Sequence, residues 1–145
     1  MMQILPKLRI LNIKRFSIAV LIIVALPFVS SYSQEGSELT VEQIMNAIIA
    51  PMTGLIWGAY DIQEDAQWLE LENAAYTVIA AGNLLSTAGD DANNEDWQQF
   101  NGQMISAARA AITAIGNKDE EALFNAGNDQ LYPPCESCHQ TYMAQ

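Results

Sequence analysis

Four stretches of this chain repeat apolar residues at intervals of three and four, and none alternates as a strand would. In the first, Val41, Ile44, Met45, Ile48, Met52, Leu55, Ile56 and Ala59 keep to one helical face. The second carries Leu69, Tyr76, Ala80 and Leu84, with Trp68, Leu71, Val78 and Leu85 beside them. The third runs Trp97, Phe100, Met104, Ala108, Ala111, Ile115, and the fourth offers Leu123, Phe124 and Ala126 before Leu131. The expected fold is therefore all-α, an antiparallel up-down-up-down four-helix bundle.

Each stretch has a start signal. Thr40-Val-Glu-Gln43 and Asp61-Ile-Gln-Glu64 have capping-box spacing, and Asn117-Lys-Asp-Glu120 repeats it. Asn93 or Asn94 stands before Glu95 and Asp96, whose charges suit a helix N-terminus. Gly89-Asp-Asp-Ala-Asn-Asn94 separates the second and third helices, and Gly116 is a natural residue to follow the third. Pro51 falls inside the first pattern and removes one backbone hydrogen bond there. Pro133-Pro134 is expected to stop the fourth helix, so that the last residues restart as a short separate turn.

Those last residues contain Cys135-Glu-Ser-Cys138-His139, with the only cysteines and the only histidine of the chain. C-x-x-C-H is the attachment signature of c-type haem. Each thiol adds to a vinyl group, and the adjacent imidazole of His139 becomes the fixed axial ligand of the iron. Three other readings compete. A disulfide between Cys135 and Cys138 leaves His139 unexplained, and a thioredoxin-like pair wants a βαβ context. A structural zinc site wants four Cys or His ligands, and only three exist. One covalent haem c accounts for all three residues.

With one histidine, the sixth iron position is left to a methionine, an open site or an unusual ligand. Beyond the N-terminal segment the methionines are Met45, Met52, Met104 and Met143. Met143, four residues from His139, is poorly placed to reach the opposite face of a haem. For the others, core packing is the ordinary role of a helix-face methionine.

Charge narrows the function classes. The chain has 145 residues, one domain's worth, with 17 Asp+Glu against 6 Lys+Arg and a formal net charge of −11. That balance excludes a nucleic-acid binder, which needs a basic footprint. Four of the bases, Lys7, Arg9, Lys14 and Arg15, precede the apolar run Ile18-Ala-Val-Leu-Ile-Ile-Val-Ala-Leu26 and the small residues Ser30-Ser-Tyr-Ser33. This is the order of a secretory signal peptide over residues 1–33, cut before Gln34. The run is shorter than the ~20 apolar residues that span a bilayer, so no stable membrane insertion is expected after cleavage. Residues 34–145 then form the domain. Removing residues 1–33 takes four bases and no acid, which leaves Arg109 and Lys118 against all 17 acids, a formal charge of −15.

Cys135-Glu-Ser-Cys138-His139-Gln-Thr-Tyr142 near the C-terminal end of four helices resembles the class II c-type cytochromes, the cytochrome c′ family. Ala114-Ile-Gly-Asn-Lys-Asp-Glu-Glu-Ala-Leu-Phe124 is similar to that family's loop and the start of its last helix. The resemblance covers nearly all of residues 38–145. Low-spin members carry M-x-x-x-x-x-x-M-G, in which the first methionine binds iron. Met45 and Met52 have that separation, although Thr53 stands before Gly54. The resemblance thus implies Met45 as distal axial ligand opposite His139. Many members also have a basic residue four positions before the distal one. Here Val41 takes that place, so haem propionates would turn to solvent, Arg109, or backbone and hydroxyl donors.

The function this implies is periplasmic electron transfer by a haem protein that is not an enzyme. The alternative, with an open distal site, is a gas-binding (NO or CO) or stress-protective protein. A peroxidase-like role lacks a second histidine for acid–base work. The acidity would steer the domain to a basic face on a redox partner, or else serve solubility alone. Relatives commonly form homodimers through their first two helices, for which Trp57 and Trp68 are candidates, against core packing or a haem contact.

Overall fold

The computed structural model describes residues 37–143, so the signal peptide expected over residues 1–33 lies outside the described residues. Among the described residues the chain is helical, with no strand, and forms four rods. The first joins α1 (Val41–Ile44), a π-helical segment (Met45–Ile49) and α2 (Ala50–Trp57). The second is α3 (Asp65–Leu85), followed by a 3₁₀ turn (Asp90–Asn93), and the third is α4 (Glu95–Gly116). The fourth joins α5 (Glu120–Asn125), a second π segment (Ala126–Leu131) and α6 (Tyr132–Tyr142). No helix among the described residues is long and apolar enough to cross a membrane.

Two rods contain proline, and both accommodate it in the same way. The N–H of Ala50 bonds to the carbonyl of Met45, one residue further back than in an α-helix, and Pro51 follows at the second position of α2. The N–H of Tyr132 likewise reaches the carbonyl of Gly127, and Pro133 follows. A π turn holds one extra residue, which widens the helix where the proline ring would otherwise strike a carbonyl. Pro133-Pro134 therefore does not stop the fourth rod. The expected break and separate turn are replaced by a widened turn and a continuous α6.

The extra residue also rotates the buried face of the first rod. After Ile44 the fully buried positions are Ile49, Thr53 and Ile56, whereas Ile48 and Met52 are only partly buried. An unbroken α-helix would have buried 44, 48 and 52. In α3 the expected stripe is the outer one, since Leu69 (57% exposed), Tyr76 and Leu84 face solvent. Their neighbours Trp68, Leu71, Val78 and Leu85 form the core. The small side chains Ala74, Ala75 and Ala81 bury beside them against Ala107, Ala108 and Ala111 of α4.

Caps fall partly where expected. Thr40 Oγ1 accepts from the N–H of Gln43, and Gln43 Oε1 accepts from the N–H of Thr40. The second rod starts later than the Asp61 box predicts. Asp61 is in a left-handed turn (φ 53°) with its carboxylate on the Gln63 amide, and Gln67 Oε1 accepts from the N–H groups of Gln63 and Glu64. Asn94 does precede α4, but its side chain bonds Asp91. Asn117 does not cap the fourth rod. Asp119 does, accepting from Ala122. The third rod closes with the N–H of Asp119 on the carbonyl of Ala114 and that of Lys118 on Ile115, a Schellman motif. Its left-handed residue is Lys118 (φ 52°), not Gly116. Lys118 also pairs with Asp65 at 2.5 Å, the one ion pair among the described residues, exposed on both sides.

Candidate functional site

Because α6 is continuous, Cys135, Cys138, His139 and Tyr142 stand at i, i+3, i+4 and i+7, along one helix face. Both cysteines are unbridged and partly buried. Burial pushes the Cys135 thiol up to about 11, with a smaller contribution from neighbouring Cys138, and burial raises Cys138 as well. Tyr142 meets Trp97 edge-on with ring centroids 5.1 Å apart, and Trp97 Nε1 donates to the carbonyl of Leu85 at 2.9 Å. The end of α6 is thereby seated on α4 and, through Trp97, on the end of α3.

Cys135, Cys138, His139 and Trp97 border a cavity of about 240 Å³. The first rod supplies Met45, Ile49, Thr53 and Trp57, and α4 supplies Trp97, Phe100, Asn101 and Met104. Cys135, Cys138, His139 and Met143 close it from the fourth rod. An adjoining opening shares Met45, Trp97, Cys138 and His139 and is edged by Val41, Asp90 and Asp91. The walls are largely apolar and aromatic, and of the two buried polar side chains Thr53 is committed elsewhere and Asn101 only through its amide nitrogen. Thr53 Oγ1 donates to the carbonyl of Ile49 at 2.9 Å. Asn101 Nδ2 donates to that of Gly82 at 2.8 Å, and its Oδ1 is buried with no partner.

Four residues expected to act together, Cys135, Cys138, His139 and Met45, thus border one cavity. Met52 is absent from its lining, because the π segment turns it away from the face that Met45 occupies. Met104 and Met143 do line it. Neither Arg109 nor Lys118 does: both lie exposed outside the lining. Trp68 is a core residue at 8% exposure, whereas Trp57 combines cavity lining with partial exposure. Trp97, Phe100 and Met104 share the third sequence stripe, so their part in the wall was readable as a face but not as a site. Thr53 and Asn101 carry no sequence signal at all. Among the described residues no three His, Cys, Asp or Glu side chains converge as a metal-holding group.

No protein-family model, curated protein or solved structure matches the chain.

Proposed function

We propose that residues 34–145 are a class II c-type cytochrome, an up-down-up-down bundle that transfers electrons through one covalent haem c after export to the periplasm. The observation that supports this is the shared cavity: two thiols and an imidazole from one face of α6, with the Met45 thioether on the wall contributed by the first rod. The donor set fits the group. Cys135 and Cys138 would hold the macrocycle covalently, and His139 and Met45 would bind the iron. When bound, the haem supplies a one-electron couple, and thioether ligation raises its reduction potential.

The remaining work belongs to the chain. Trp97, Phe100 and Ile49 give the pocket an apolar wall, and Tyr142 on Trp97 steadies the helix that carries His139. Asp90 and Asp91 edge the opening beside His139, where their charge favours a partner with a basic face. The exposed Leu69, Tyr76 and Leu84 stripe of α3 is the face a homodimer would use, and sedimentation over a concentration series tests it.

The absorption spectrum of the purified oxidised protein decides the axial pair. A sulfur-to-iron charge-transfer band that disappears in Met45→Ala is the expected result. A high-spin spectrum unchanged by that substitution would replace electron transfer with the gas-binding reading. Haem that resists extraction after denaturation is expected in the parent and absent from the Cys135→Ala, Cys138→Ala double variant.

A further inference from the structure

Trp57 Nε1 donates to the carbonyl of Gly127 at 2.9 Å, linking the end of the first rod to the second π segment. That carbonyl also receives the N–H of Tyr132, so it is held from both its own rod and the opposite one. The approach is close. A Cβ at Gly127 would stand 3.2 Å from Trp57 Cδ1, and the Tyr132 ring meets the indole edge-on at 6.4 Å.

Twelve residues separate Trp57 from Met45 along the first rod, and twelve separate Gly127 from His139 along the fourth. Each interval includes one π segment at or near one of its ends. Two rods that touch at 57 and 127 and run in opposite directions therefore bring 45 level with 139. The side chains of both do line the same cavity. A slip of one turn would displace Met45 by about 5.4 Å relative to His139, too far for both to serve one iron.

We propose that Trp57 is a positioning residue: its hydrogen bond to Gly127 fixes the register between the two rods and so holds Met45 across from His139. The π turns make such a lock necessary. A widened turn is a joint at which the helical ladder is re-registered, and each rod has one between or beside the groups to be aligned. The indole at the wall joins the rods away from those groups, through a donor that phenylalanine lacks.

This inference deepens the haem reading, and Trp57→Phe tests it in the full-length, haem-loaded protein. The variant keeps the ring and removes the donor. It is expected to retain covalent haem and helix content. Its sulfur-to-iron band should weaken, and carbon monoxide should bind the reduced protein about three- to tenfold faster, the range one net hydrogen bond can supply. Nuclear Overhauser contacts between the two rods, from the residue 57 ring to Gly127 and Tyr132, should weaken in parallel. Contacts, band and carbon monoxide rate all within twofold of the parent would overturn the proposal. Should Met45→Ala leave the parent spectrum unchanged, the ligand assignment falls, and the Overhauser contacts still decide the register. If Trp57→Phe does not accumulate, Gly127→Ala crowds the same indole and is expected to move the same observables in the same direction; no change there would also overturn the proposal.

Discussion

Asn101 reaches across from α4 to donate to the Gly82 carbonyl of α3 at 2.8 Å, and a Cβ at position 82 has no room unless Ile105 shifts. A Cβ there would stand 2.6 Å from Ile105 Cγ1 and 3.1 Å from Asn101 Oδ1. In most helix interiors glycine to alanine stabilises, by up to about 1 kcal/mol. Here overpacking of about 1–3 kcal/mol outweighs that gain. Gly82→Ala is expected to lower the urea midpoint, and adding Ile105→Ala to recover part of the loss. A Gly82→Ala protein as stable as the parent would show that α3 and α4 are less closely packed.

Lys118 occupies a left-handed position that glycine adopts without steric cost. Lys118→Gly relieves backbone strain of about 1 kcal/mol while losing only an exposed ion pair. Thermal unfolding is expected to show unchanged or raised stability, whereas Lys118→Val, β-branched at the same φ, should lower it.

The same pair gives Asp65 its titration. The hydrogen bond from Lys118, and then its charge, hold this carboxyl below the ordinary carboxylate range. The folded value is the depressed one, so the small stabilisation is present at neutral pH. It is lost as pH falls below about 4 and through the lowered value. Carboxyl-carbon NMR should place Asp65 below the ordinary aspartate range, and Lys118→Ala should return it there.

Met104 is more deeply buried than Met45 and borders the same cavity. Its role as packing predicts that Met104→Leu leaves the axial spectrum intact, while Met104→Ala costs about 2–5 kcal/mol. Loss of the charge-transfer band in Met104→Leu would transfer the ligand assignment from Met45 to Met104.

Much of this was legible in residue order, and each failure has its own physical origin. Trp97, Met104, Ala108, Ala111 and Ile115 fall on the buried face because α4 is an unbroken α-helix whose period is that of the pattern. The first rod misleads because its period changes at Met45–Ile49, which no apolar pattern announces. Pro51 and Pro133 were the visible signals, yet proline alone does not say whether a helix breaks, kinks or widens. In α3 both stripes are apolar, and only the alanines opposite decide which is buried. The chemical motif was fully readable. That Cys135, Cys138 and His139 share a helix face with Tyr142 depended on the helix surviving Pro133-Pro134.

Among the described residues one exposed ion pair stands against a formal charge of −15 over residues 34–145. Nearly all of the domain's surface electrostatics is therefore repulsion between carboxylates, which costs the folded state more than the expanded one. Dissolved ions shorten the reach of that repulsion to about 8 Å at 0.15 M. Raising ionic strength should accordingly toughen this domain against heat and urea, the opposite of its effect on proteins whose surfaces are laced by opposite charges.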